Sequence, residues 1–221
     1  FHFTVYDNPF FFFKTRHFLR SQVSNETWKQ EYLAIPAAGE SPFGDVKKNL
    51  LPKATGKPPV IYGIDLASKV DYTVITGLDN NGDVCYEERF KADWPVVIAK
   101  INNLPASIPI VMDSTGVGRV VYSQLALTRG NIIPYTFTSI SRPQLINKLI
   151  LMIEQGKIRF TELYATELST MEGNRLKTGD IKYEARSGYH DDAVVSLALA
   201  TFYLESYQTS SAAGFFRPNK R

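Results

Sequence analysis

The chain has 221 residues, 44% hydrophobic and 21% charged, with a formal net charge of +3, a composition that builds one good core and some periphery. One cysteine, Cys85, and three histidines, His2, His17 and His190, are too few for a zinc site of the usual kind. No apolar stretch reaches the roughly 18–20 residues of a bilayer span and no secretory signal is present, so a reducing cytoplasm is expected, with no membrane partner.

In chain order, the opening segment FHFTVYDNPFFFFKTRHFL starts at Phe1 rather than Met. It is too aromatic for a soluble tail and reads as the end of a preceding domain that packs against something. SNETWKQEYLAIP predicts a short helix capped by Ser24 or Asn25, with Glu26 in its first turn and Pro36 beyond its end. Residues 37–59, rich in Gly, Pro and Lys, read as a connector, and the main domain is expected from about Pro58.

The apolar run Val60-Ile61-Tyr62-Gly63-Ile64 predicts a buried strand closed by Asp65. VDYTVITGLD and VCYEERFKA form a hairpin about Asn81-Gly82. A helix over 95–103 leads to a second buried strand, Ile108 to Met112, closed by Asp113, and Gly116-Val117-Gly118 feeds a helix over 119–128. A strand NIIPYTF, helices over 142–155 and 162–174 about a short strand KIRF, and a hairpin RLKTGDIKYEA turning at Thr178-Gly179-Asp180 follow. The doublet Asp191-Asp192 opens the apolar helix HDDAVVSLALATFYLE. Strands first and alternation later give an α/β layer structure.

Asp65, Asp113 and the doublet all stand at element ends, where a rigid scaffold holds a charge near solvent. Singly, each acid is also ordinary turn or cap chemistry. The doublet is harder to reduce to a cap, because only one residue occupies that position and the helix behind it is apolar on nearly every face. Carboxylates suit magnesium or manganese, and two such ions roughly 3.5–4 Å apart clamp both reacting oxygens of a phosphodiester.

Gly63-Ile64-Asp65, Asp113-Ser114-Thr115-Gly116-Val117-Gly118 and His190-Asp191-Asp192-Ala193 together resemble the C-terminal nuclease domain of the large terminase subunit of tailed bacteriophages, a member of the RNase H-like superfamily. Tyr6-Asp7-Asn8-Pro9 and Trp28-Lys29-Gln30-Glu31-Tyr32 resemble the tail of that family's ATPase domain and its linker. The resemblance implies an RNase H-like mixed central sheet flanked by helices, with an inserted β-hairpin and an N-terminal linker segment. It divides the chain into 1–57, the end of the ATPase domain and linker; 58–207, the nuclease; and 208–221, a flexible tail.

The implied activity is endonucleolytic cutting of concatemeric viral DNA during genome packaging, in the cytoplasm of an infected bacterium. Asp65 would bridge two magnesium or manganese ions, Asp113 would hold one, and Asp192 or Asp191 would complete the set. Asp192 stands above Ser196, Leu199 and Tyr203, whereas Asp191 stands above the more apolar Val195, Ala198 and Phe202, so Asp192 is preferred as ligand. Asp191 is then left to cap the helix or act behind it, and His190 is either a poised neighbour or a surface turn residue. Thr55-Gly56-Lys57 lacks the first Gly and the Ser/Thr of a phosphate loop, so no ATP hydrolysis is expected of this chain.

Duplex DNA binding calls for cations along the groove to the acids. Arg119, Arg142, Lys148, Arg175, Lys177, Lys182 and Arg186 are the candidates, each equally readable as part of a solvated basic face. By resemblance the late hairpin gates entry, and the partners are the ATPase domain of the same polypeptide, the portal and the small terminase subunit. The competing functions are a junction resolvase or transposase-like strand-transfer enzyme on the same fold, and a non-catalytic DNA-binding or docking module whose acids are caps.

Overall fold

The computed structural model describes residues 4–33, 41–67, 71–176 and 181–212. Its N-terminal helix α1 (Phe13–Gln22) buries none of its own residues, and Phe10, Phe12, Phe13 and Phe18 face solvent. The packing expected of this aromatic segment is thus confined, among the described residues, to its flanks. Val5 donates its amide to the Tyr32 carbonyl, and Trp28 is buried with its ring stacked on Tyr32. Ser24 is the cap of α2 (Asn25–Thr27), accepting from the Thr27 amide, and the chain continues as a π-helical turn, Trp28–Tyr32. Residues 41–57 are more than a connector. Phe43 and Val46 enter the main core, and the Asn49 amide donates to the carbonyls of Ile153 and Ile158.

Five strands form the central sheet in the order β3-β2-β1-β4-β5: β1 (Ile61–Asp65), β2 (Thr73–Leu78), β3 (Val84–Phe90), β4 (Ile110–Asp113) and β5 (Ile132–Tyr135). The first three make the antiparallel meander, and β4 and β5 add in parallel beside β1. The β2–β3 turn forms as its Asn-Gly pair predicts. Asp79 accepts from the amides of Asn81 and Asp83, while Gly82 takes φ 79° with the Lys157 carbonyl only 2.1 Å from where a Cβ would stand.

Both sheet faces are covered, so the strands read as continuous apolar runs. One face packs Tyr62, Ile64, Ile75, Ile110 and Met112 against α3 (Trp94–Asn102) and α4 (Gly118–Ala126). The other packs Ile61, Val74 and Val111 against α5 (Ser141–Glu154), α6 (Glu162–Thr170) and α7 (Asp192–Ala212). Between α6 and α7 runs a two-stranded hairpin, β6 (Met171–Arg175) and β7 (Ile181–Ala185).

Three expectations shift. The helix expected over 162–174 ends at Thr170, because Met171 turns into β6 with its side chain buried and Gly173 lies under the Tyr183 ring. KIRF makes two isolated bridges, Arg159 to Asp83 and Phe160 to Leu50, in place of a strand. The last helix runs to Ala212, into the segment read as aperiodic. The turn at 178–180, Lys177 and residues 213–221 lie outside the described residues. No helix among the described residues is long and apolar enough to cross a membrane.

Candidate metal centre

Successive strand residues face opposite sides of the sheet, so Asp65 shares the α7 side with Ile61 and Gly63, and Asp113 shares it with Val111. The two strands run parallel with Ile64 beside Met112, which brings Asp65 and Asp113 side by side at their carboxyl ends. Helix α7 crosses β1 at Gly63, where an added Cβ would lie 2.1 Å from the Ser196 carbonyl and 2.5 Å from the Ala200 amide. The Ser196 hydroxyl closes the contact by donating to the Gly63 carbonyl at 3.0 Å. This close approach carries the start of α7, and its doublet, to the edge where the two strand acids end.

Asp65 feels the charges of the other three acids. Burial first, then the charges of Asp192, Asp191 and Asp113, push the Asp65 carboxyl well above the usual carboxylate range, with Arg142 acting in the opposite sense. Asp113 is raised by burial, against hydrogen bonds from Thr115 and the charge of Arg142. Asp192 is pushed up to about 7 by burial and by the charges of Asp71 and Glu167. In all three carboxyls burial is the first cause of the shift, and like charges add to it at Asp65 and Asp192. Asp192 Oδ2 is buried and accepts no hydrogen bond, as suits an oxygen available to a cation.

The doublet divides its tasks. The Asp191 carbonyl accepts the first helical bond, from Val195, but its side chain binds Arg142 of α5 at 2.6 Å instead of capping an amide. The cap comes from Glu167 of α6, whose Oε2 accepts from the Ala193 amide at 2.8 Å. Asp192 turns toward His190 and Asp71, with the His190 Nδ1 3.6 Å from Asp192 and 3.1 Å from Asp71. Asp71, His190 and Asp192 are the one trio among the described residues with ligand atoms all within 4.8 Å of one another. Asp65 and Asp113 border this trio without joining it.

Asp71, Arg89 and Glu167 are the residues that sequence reasoning missed. Arg89 gave a faint signal, a charge on the inward face of a strand; Glu167 and Asp71 gave none, because their importance lies in contacts across the fold.

Of the candidate DNA-contacting cations, Arg142 sits within the acidic cluster. Arg119 is exposed on the first turn of α4 and Lys148 is half-buried on α5. Three hairpin cations are paired: Arg175 with Glu31 at 3.3 Å, Lys182 with Glu184 at 2.6 Å and Arg186 with Glu172 at 2.8 Å. The hairpin is tied to α5 by the Tyr183 hydroxyl, which donates to Asn147. Between them opens a cleft of about 400 Å³, lined by Arg142, Pro143, Ile181, Tyr183 and Glu184 among others.

No protein-family profile matches the chain. It is 31% identical over 154 residues to the terminase large subunit of Thermus virus P23-45 and 30% identical over 154 residues to that of Thermus phage G20c. Each alignment covers 65% of this chain and 32% of the relative, so the chain spans about a third of the length of the curated relatives it matches. The crystal structure of the large terminase nuclease from thermophilic phage G20c superposes with a TM-score of 0.63 at 26% identity, covering 73% of this chain and 97% of that one. The same nuclease with bound magnesium gives a TM-score of 0.64 at 28% identity, covering 76% and 98%.

Proposed function

We propose that this chain, similar in sequence to terminase large subunits and in fold to their nuclease domain, is a metal-dependent endodeoxyribonuclease that cuts concatemeric viral DNA during genome packaging. What supports the reading is that Asp65 and Asp113 close the adjacent parallel strands β1 and β4, and that the charges of Asp113, Asp191 and Asp192 all bear on Asp65. Magnesium or manganese, bound as two ions, would supply Lewis acidity to the reacting phosphodiester. Asp65, Asp113 and Asp192 are the holding carboxylates, with Asp71 and His190 at the outer side of Asp192. Arg142 orients Asp191 and keeps the surplus negative charge of the cluster in check.

Arg119, Lys148, Arg175, Lys177, Lys182 and Arg186 are assigned to phosphate contact. For Arg175, Lys182 and Arg186 that contact means exchanging a carboxylate partner for DNA, so the hairpin is read as an entry gate. Residues 58–207 form the nuclease unit in this reading, 1–57 the end of an ATPase domain with its linker, and 208–221 a tail. The whole protein would work in the cytoplasm of the infected host with the ATPase domain of the same polypeptide, the portal and the small subunit. The chain itself would hydrolyse no ATP.

Plasmid nicking in magnesium or manganese tests the assignment. Asp65→Ala and Asp113→Ala are each expected to abolish nicking while the circular dichroism spectrum stays unchanged. Undiminished nicking by both variants would refute it.

A further inference from the structure

Glu167 and Arg89 lie outside the four acids, yet both reach the start of α7 from behind. Glu167, on the second turn of α6, is only 5% exposed, and its two oxygens do different things. Oε2 accepts from the Ala193 amide, the residue following Asp192, while Oε1 lies 3.2 Å from the Arg89 guanidinium. Arg89, on β3, is placed by three contacts: Glu167, the face of the Tyr72 ring 4.0 Å from its guanidinium carbon, and Asp192 Oδ2 at 3.8 Å. It thus stands between two carboxylates, drawn closer to Glu167. At 3.8 Å its guanidinium nitrogen is beyond hydrogen-bond reach of Asp192 Oδ2, which is left buried without a hydrogen-bond partner.

We infer that Glu167 is a positioning residue that does two jobs for Asp192: it fixes the backbone beside it, and it holds Arg89 away from the oxygen that a divalent cation would use. The inference rests on the metal-dependent reading above and adds a reason for two charges that the reading leaves idle. The electrostatics follow directly. A carboxylate on Glu167 keeps the guanidinium parked; a neutral group there leaves Asp192 as the best remaining partner for Arg89, within a short side-chain rotation. A guanidinium on Asp192 then competes with the incoming cation for the same oxygen.

A plain cap would behave differently. If Glu167 merely held the α7 amide, Gln would serve, since its carbonyl oxygen also accepts from Ala193. If Glu167 instead touched the cation, its loss could not be repaired by altering Arg89.

Manganese binding to the full 221-residue chain, read by electron paramagnetic resonance of the free ion without DNA, separates these cases. Glu167→Gln is expected to keep the melting profile within a few degrees and weaken manganese binding about tenfold, the lower end of losses seen when residues behind metal ligands are altered. Arg89→Gln alone is expected to bind manganese at least as tightly as the parent chain, and the double variant Glu167→Gln with Arg89→Gln to recover most of the loss. Unchanged binding in Glu167→Gln overturns the inference, as does a loss that Arg89→Gln fails to repair or a weakened Arg89→Gln single variant. Absence of manganese binding by the parent chain would overturn the functional reading itself, a result distinct from any of these.

Discussion

Asp192 is 6% exposed, and a carboxylate taken that far out of water costs several kcal/mol unless charge or hydrogen bonds compensate. Around it stand Asp71, Glu167 and Asp191, all of the same sign, against the Arg89 guanidinium 3.8 Å away and the His190 ring 3.6 Å away. The neighbouring Asp65 is no better placed, since burial and three acids all disfavour its ionisation. A site like this trades stability for readiness to bind. Asp65→Asn therefore has a double signature: nicking falls by more than about 100-fold, while the chain melts higher in EDTA. A gain on the order of 1 kcal/mol corresponds to about 2–4 °C for a protein this size. A melting temperature that falls, or nicking that persists, would contradict the account.

At the scale of elements, the contact between β1 and α7 decides whether the acids meet. Gly63 lets the helix backbone lie directly on the strand, and Gly63→Ala would drive a Cβ into the Ser196 carbonyl. Overpacking of this kind costs roughly 1–3 kcal/mol. The variant is expected to melt lower and to lose manganese affinity, because the doublet is carried on the displaced helix; an unchanged melting curve would show that the contact yields cheaply. The sequence made β1, β4 and α7 legible because buried parallel strands and a buried helix are written as unbroken apolar runs, and the first hairpin legible because Asn81-Gly82 suits its turn. The end of helix α6 is not legible locally, because it depends on a partner strand in which Ala185 pairs with Met171. That Asp65 and Asp113 close strands and that the doublet stands at the mouth of the last helix was readable from position alone. That Glu167 would supply the cap, or that Arg175 would meet Glu31, was not, since nothing local in either segment encodes the meeting.

Over the whole molecule, the proposed cation binding would be linked to stability through these carboxyls. The folded-state value of about 7 for Asp192 lies above the 3.8 of an unperturbed aspartate. The folded form therefore binds that proton more tightly. The resulting stabilisation is fully present below pH 3.8 and is lost as pH rises through about 7. In the proposed site a divalent cation would replace the proton, so magnesium is expected to raise the melting temperature more at pH 8 than at pH 5. Equal gains at the two pH values would mean that the cation binds elsewhere.

Helix α1 has a consequence for anyone handling the purified chain. Phe10, Phe12, Phe13 and Phe18, 62% to 83% exposed, leave four bare benzyl rings in water along one short segment. Such a patch favours clumping that grows with concentration. Replacing Phe10, Phe12, Phe13 and Phe18 by Ser is expected to yield a better-behaved sample for calorimetry and crystallisation.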